Sequence, residues 1–465
     1  MKITILSSLR VALLILTMFG ALSAGAQKKQ THIIQPGETL YRMTVKYKVT
    51  AEALCAANPG LSATYFPTGM EIVIPISGDK KNKNNTANVT NSSVTTVASK
   101  ASSVTPTHKV KASIILPFGL DEKLAESPRM LEFYQGFLLA LYTLKKKGVS
   151  VDLHVYDSGK QGDPITSILN QPALKESDVI FGGFHWGHAK QLSDFSRENE
   201  IQMVLPFSSN LFFAENNPYL FMINTPQENL YSTVIKQFKI YFPNPQVFFL
   251  DDMNEEGKGD KRLFVKQLKE KLDMLKVPYE TVSQGTSYET IAKRLKKKKQ
   301  NVFIPLSGKK ECIESWLPTL LTVMETNPDK KINLFGYPEW QTFSTATTTD
   351  FYLLNTYIYT TFYSNSIFQS AREFKSNFIR WYHKRISNTY PQYAMLGYDL
   401  GIYFISAASR YGKEFPNYIE HLNDVHTIQN GFSFTRLSDA SGFINNNMYY
   451  IHFTPASEII KTEIK

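Results

Sequence analysis

ASIILPF (residues 112–118) and LEFYQGFLLALYTLKKKG (residues 131–148) form the pair whose reading decides the fold. The first is a short, almost wholly apolar run ended by Pro117, the pattern of a strand buried on both faces. The second places Phe133, Phe137, Ala140, Leu141 and Leu144 at helical spacing and stops at Gly148. The alternation then repeats: VDLHVYD (151–157), a helix through ITSILNQPAL (165–174), DVIFGG (178–183), a helix from His188 to Glu198, and IQMVLPFSS (201–209). Strand and helix in strict turn predict an α/β fold with a parallel sheet covered on both sides.

A second series of the same kind follows. It comprises a helix near 228–241, QVFFLDD (246–252), a helix from Lys261 to Leu275, a short strand near Pro278, a helix in YETIAKRLKKKK (288–299), NVFIPLS (301–307), a helix after Cys312 and INLFGY (332–337). Two consecutive series predict two lobes. Downstream, FYLLNTYIYTTFY (351–363) is strand-like, the helices in 367–386 and 398–412 are expected to complete the first lobe, and the β-rich tail 431–454 is expected to return to the second.

Upstream, residues 1–26 read as a signal peptide: Lys2 and Arg10 form the basic end, Val11 to Leu22 the apolar run, and Ala24-Gly25-Ala26 the cleavage site. Its removal leaves 439 residues, more than one ordinary core, with 49 basic against 41 acidic side chains. That balance suits anionic surroundings such as wall polymers, and export argues against nucleic acid as a partner. Cys55 and Cys312 fall in separate expected domains, so two thiols are expected rather than a bridge. Residues 78–110, rich in Asn, Ser, Thr and Lys, bury too little to offset the entropy of ordering and read as a flexible linker. As a coil this linker has a mean span on the order of 30 Å.

IIQPGETLYRMTVKYKVTAEALCAANPG (33–60) carries its own punctuation. Pro36-Gly37 makes a turn, Glu38 or Thr39 caps a first helix, Thr50 caps a second, and Asn58-Pro59-Gly60 ends it before a strand closed by Pro75. With FPTGMEIVIP (66–75), residues 31–77 resemble the LysM module. The resemblance implies a small βααβ unit that binds the N-acetylglucosamine-containing backbone of peptidoglycan or chitin. Its groove would map to Gly37, Glu38, Thr39 and Leu40 and to Asn58, Pro59, Gly60 and Leu61, although Gly37, Thr39 and Asn58 read equally well as turn and capping residues.

Residues 111–465 look like a type 1 periplasmic binding protein of the branch holding leucine-type amino-acid receptors and the lipoprotein activators of penicillin-binding proteins. SIILPFG (113–119), FYQGFLLAL (133–141), VDLHVYDSG (151–159), DVIFGG, VLPFSSN (204–210), NPYLFMINTP (217–226) and LGYDLGIYFISAA (396–408) carry the resemblance. It implies two Rossmann-like lobes, about 111–225 with 360–427 and about 228–355 with 431–465, joined near Asn224–Gln227, Asn355–Thr361 and His426–Gly431. A cleft is expected at the carboxyl ends of the sheets. Ser208 and Ser209 fit the loops that capture a ligand carboxylate in such receptors. The other loop departs, with Phe184, His185 and Trp186 where receptors carry Pro and Ser. Glu339 is the candidate ammonium partner and Trp340 a candidate wall.

The chain contains no His-Glu-x-x-His, Gly-x-Ser-x-Gly or phosphate-loop motif, so neither an enzyme nor a cofactor is expected. His185 and His188 lack a third metal ligand at useful spacing. Asp251-Asp252 and Lys296–Lys299 read as solvated loop and helix-end groups, and EEGKGDK (255–261) as a mobile loop. The function expected is that of a non-enzymatic periplasmic or envelope protein bound to peptidoglycan, whose two-lobed domain takes an envelope protein partner or a small ligand and regulates wall synthesis. The alternative is a wall-tethered amino-acid or small-solute receptor.

Overall fold

A computed structural model describes residues 30–34, 40–49, 51–58, 70–75, 108–121, 123–251, 260–422, 424–436 and 438–464. They belong to two compact units, one within residues 1–100 and one within 101–465, each described by itself. The signal, nearly all of the linker, Gly37, Glu38, Thr39, Thr50, Pro59, Gly60, Leu61 and Asp252 lie outside the described residues.

In the first unit, strand β1 (Gln30–Ile33) pairs antiparallel with β2 (Glu71–Ile74), Gln30 opposite Ile74. Helices Leu40–Tyr47 and Ala51–Ala57 stand between them in sequence. Ile34, Met43, Leu54, Ile72 and Ile74 form the core of this βααβ fold.

The second unit is mixed α/β with two parallel-rich sheets. The first contains β3 (Val110–Leu116), β4 (Val151–Asp157), β5 (Val179–Gly182), β6 (Gln202–Leu205) and β7 (Leu220–Met222) in the parallel order β4-β3-β5-β6-β7. The second contains β8 (Pro245–Leu250), β9 (Tyr279–Val282), β10 (Gln300–Pro305), β11 (Lys331–Gly336) and β12 (Thr356–Thr360) in the matching order β9-β8-β10-β11-β12. Their fully buried Val, Ile and Phe side chains explain why these strands read as continuous apolar runs.

Helices Ser127–Lys145 and Tyr393–Tyr411 cover one face of the first sheet. Their backbones meet: a Cβ at Gly136 would run into the Ala394 carbonyl, and one at Gly397 into the carbonyl of Phe133. Helix Trp186–Glu198 covers the other face through Ala189 and Leu192. Helices Gln227–Tyr241, Arg262–Met274 and Lys310–Thr326 bury Phe238, Phe264 and Trp316 in the core of the second lobe.

The tail differs from the sequence reading. Strands β13 (Phe434–Arg436) and β14 (Phe443–Asn445) add to the first sheet, β14 lying parallel to β7 with Phe443 stacked on Phe221 at 4.3 Å. Only β15 (Met448–Phe453) and β16 (Ile459–Ile464) join the second sheet, antiparallel beside β12. The third crossing is therefore at Asn446 and Asn447, not at 426–431, and the second follows Thr360 because Thr356–Thr360 is itself a strand of the second lobe. Segment 428–431 does reach the second crossing, through the Phe362–Asn430 bridge and the Tyr363 N–H to Gln429 carbonyl bond of 2.9 Å, before returning to the first lobe.

Candidate functional site

In the small unit, Asn58 is buried at the end of the second helix. Its Nδ2 donates to the carbonyls of Leu54 and Val73, each at 2.8 Å, and its Oδ1 accepts from the Val73 N–H at 2.7 Å. The side-chain amide is thus spent on joining helix to strand and has no donor left for a sugar. Leu40 begins the first helix.

At the carboxyl edge of the first sheet, Gly183 at φ +83° turns the chain out of β5 into helix Trp186–Glu198, a conformation that favours glycine. His185 sits in extended backbone at the helix start, its Nε2 2.9 Å from the Glu126 carboxylate. His188 is buried, and its Nε2 bonds the Asp163 carbonyl at 2.8 Å. The two imidazoles therefore have separate partners although their ring centroids are 5.5 Å apart. Among the described residues no cluster of His, Cys, Asp and Glu could hold a metal ion.

Phe184 is half-buried between His185 at 5.1 Å and Phe207 at 5.5 Å. Phe207 also meets Phe133 edge-on at 5.3 Å and stacks towards Tyr393 at 6.1 Å, and the Arg129 guanidinium lies 5.7 Å from the Tyr393 ring centre. Nearby in sequence, Phe118 and Tyr134 pair at 5.7 Å. This half-buried aromatic surface was missed from the sequence except for Phe184. Its other members sit on separate strand ends and helices, and the available signal is the aromatic residue after two strand-ending prolines, Phe118 after Pro117 and Phe207 after Pro206. Trp186 is 56% exposed. The Ser208 Oγ accepts from the Asn210 N–H at 3.2 Å in a local turn, and Ser209 is exposed.

The carboxyl edge of the second sheet is ionic. Lys261, only 5% exposed, brings its ammonium to 2.5 Å from Glu339 Oε1, 3.5 Å from Asp260 Oδ2 and 3.3 Å from the Gln227 amide oxygen. The same ammonium lies 5.1 Å from the Tyr337 ring centre. Asp260 Oδ1 accepts from Ser307 Oγ at 2.6 Å and from the Gly308 N–H at 3.1 Å, which fixes the loop after β10. Glu339 Oε2 is buried without a hydrogen-bond partner. The Tyr337 hydroxyl donates to the Pro305 carbonyl at 2.6 Å, and burial first, then the charges of Asp260 and Glu339, raises its pKa well above the ordinary phenol value.

Trp340 is not a wall of the cleft. The short helical turn Pro338–Thr342 folds it beneath Gly336, where a Cβ would overlap its ring. It is buried, stacked on Phe351 at 5.0 Å, and donates Nε1–H to the Gly308 carbonyl at 3.1 Å. Glu339 is partly exposed and already paired with an ammonium of the protein itself, that of Lys261.

Comparison with known proteins agrees with both units. The LysM domain family matches residues 32–75. No curated protein sequence matches the chain. Among solved structures, a protein described as a candidate branched-chain amino acid ABC transporter from Rhodospirillum rubrum is 13% identical, with a TM-score of 0.52 over 76% of this chain and 100% of that one. A branched-chain amino acid ABC transporter periplasmic ligand-binding protein from Burkholderia xenovorans LB400 is also 13% identical, with a TM-score of 0.45 over 77% of this chain and 95% of that one. At such identities the first likeness gives the fold of the large unit. The chain thus joins a LysM domain to a two-lobed unit with the fold of a type 1 periplasmic binding protein.

Proposed function

We propose that this is an exported, non-enzymatic envelope protein that grips peptidoglycan through its LysM domain and binds a small ligand or an envelope partner between its lobes. Regulation of wall synthesis, by lobe closure that depends on what occupies the cleft, is the extension of that reading. Glycan binding by the LysM groove would rest on Gly37, Glu38, Thr39, Leu40, Pro59, Gly60 and Leu61. LysM domains and binding-protein folds are typically non-enzymatic, and among the described residues no helix is long and apolar enough to cross a membrane.

The observation that carries the cleft reading is the 2.5 Å contact between Lys261 and Glu339. An amino-acid ligand brings an ammonium that needs a carboxylate, and here the carboxylate already holds one. Displacing Lys261 would strand a buried charge at a cost of several kcal/mol, which a ligand of ordinary affinity would have to offset. The aromatic surface at Phe184, Phe207 and Tyr393, with Arg129 beside it, instead suits a planar or partly apolar group. The receptor for free amino acids is therefore the weaker alternative.

The test is native mass spectrometry of the full chain purified gently from its host, with thermal-shift titration of leucine, isoleucine, alanine and wall fragments. The expected results are no retained amino acid and no shift with amino acids for the wild type. A retained amino acid, lost on changing Ser208 and Glu339 to Ala, would overturn the proposal in favour of a receptor. Sedimentation with purified peptidoglycan, abolished by deleting residues 31–77, checks the anchor, and clear lysis in a zymogram would contradict the non-enzymatic reading.

A further inference from the structure

Helix Ser127–Lys145 buries Phe133, Phe137, Ala140 and Leu144 against the sheet, and a second stripe of the same helix, Leu139, Tyr142 and Thr143, continues to Lys146 along a hollow. The opposite wall of the hollow is helix Gln369–Tyr382. The hollow holds about 490 Å³, within the roughly 300–1,000 Å³ of small-molecule sites. None of the cleft residues described above lines it.

Two large aromatic rings stand exposed at its rim, Trp381 at 49% and Tyr142 at 39%, meeting edge to face with centroids 4.7 Å apart. The Lys146 ammonium lies 4.2 Å from the Tyr142 ring centre, so one face of that ring is taken. On the second helix, Asn377 and Arg380 are one turn apart and next to Trp381. Among the described residues Arg380 has no carboxylate within ion-pair distance, and neither side chain has a hydrogen-bond partner. Glu373, a turn before Asn377, accepts from Gln369 Nε2 at 2.6 Å. Trp381 and Tyr142 together offer an exposed aromatic surface beside polar side chains that have no partner among the described residues. Two cations against one carboxylate give the hollow a positive balance.

We propose that this hollow is a second carbohydrate site, separate from the LysM groove and from the cleft, that takes an anionic pyranoside. The C–H face of the sugar ring lies on the Trp381 indole. Its carboxylate meets the Arg380 guanidinium in a planar, charge-assisted contact, and its hydroxyl or acetamido groups meet Asn377 and Glu373. Uncharged sugars lack the anchor for Arg380 and bind more weakly.

The full chain labelled with ¹⁵N-tryptophan tests this. All four tryptophans, Trp186, Trp316, Trp340 and Trp381, lie in the large unit, so their indole signals carry no label from residues 30–75. Trp381→Phe identifies the Trp381 signal. The titrants are an N-acetylmuramic-acid-containing disaccharide, a glucuronic-acid disaccharide and the neutral N-acetylglucosamine disaccharide. Saturable movement of the Trp381 signal with an acidic sugar, weakened about tenfold in Arg380→Gln with the unfolding midpoint unchanged, is expected. Response to both acidic sugars, or to the muramic-acid sugar alone, separates a general acidic-sugar site from a wall-fragment site. No movement with any sugar, equal binding of the neutral sugar, or indifference to Arg380→Gln would overturn the proposal.

Discussion

Asp399 of the first lobe and Lys461 of the second hold the same short segment, Ile428–Asn430. The Asp399 carboxylate accepts the N–H groups of Ile428, Gln429 and Asn430 at 2.6, 2.9 and 2.8 Å, and the Lys461 ammonium donates to the carbonyls of Gln429 at 3.3 Å and Tyr363 at 3.0 Å. The second crossing and the segment beside it are thus clamped by one charge from each lobe. Lys461→Met removes the donor from two carbonyls and leaves Asp399 buried without its countercharge, so a loss of about 3–5 kcal/mol is expected. Urea unfolding followed by tryptophan fluorescence, which reports only the large unit, measures it, and a loss under about 1 kcal/mol would show that the clamp does not carry the hinge.

The same pair sets a pH dependence. Burial raises the Asp399 carboxyl to about 6 against its three N–H donors and Lys461, and lowers the Lys461 ammonium to about 8 against Asp399 and Glu463. A carboxyl with a raised folded pKa contributes stability that is present below its unfolded value of 3.8 and lost as pH rises through 6. The lysine contribution is present above 10.5 and lost as pH falls through 8. Between about pH 6 and 8 both groups are charged and both contributions are at their lowest. Relative to Asp399→Asn, the wild type should therefore gain roughly 2 kcal/mol as pH is lowered from 7.5 to 4. A stability difference that stays flat over that range would refute the assignment.

Gly397→Ala should be severely destabilising, because its methyl group would occupy the space of the Phe133 carbonyl on the neighbouring helix. Backbone cannot yield as a flexible side chain can, so a cost of about 3 kcal/mol or more is expected. Gly148→Ala, at a glycine with φ +86° but open space around it, serves as the comparison and should cost about 1 kcal/mol. The two urea midpoints, measured side by side, distinguish close helix contact from backbone strain.

Asn58→Ala should unfold the LysM domain without touching the large unit. It removes three hydrogen bonds that join the second helix to β2 in a module of under 50 residues. A loss of about 2–3 kcal/mol is large for so small a module. Binding to purified peptidoglycan should fall, while the tryptophan-detected unfolding curve stays in place. A folded module with normal NMR dispersion and weak wall binding would instead return Asn58 to the glycan surface.

The fold was legible because its strands are buried on both faces and its helices amphipathic, so local pattern and tertiary role coincide in ASIILPF, DVIFGG and NVFIPLS. The third crossing was not legible. Strands β13 and β14 are three residues each, and β14 is recruited by β7 more than 200 positions earlier, a pairing with no local signature. Among the candidate site residues, His185 and Glu339 each stand three residues beyond a strand, after β5 and β11. Trp340 was misjudged because a strand-end aromatic points to the cleft or into the core according to the turn that follows, and Gly336 leaves room for the core. The Lys261 ion pair has no local signature, because its partners Gln227, Asp260 and Glu339 come from a helix start, the residue before Lys261 and a helical turn more than 70 positions later.

The passage from β14 to β15 is made by Asn446 and Asn447 alone. A chain that short reaches at most about 11 Å between the Cα atoms of Asn445 and Met448. The two sheets are therefore bound along this edge like pages at a spine. At this point the sheets cannot part by more than that reach. The lobe closure proposed above would therefore pivot near Asn446 and move most at the loops farthest from it.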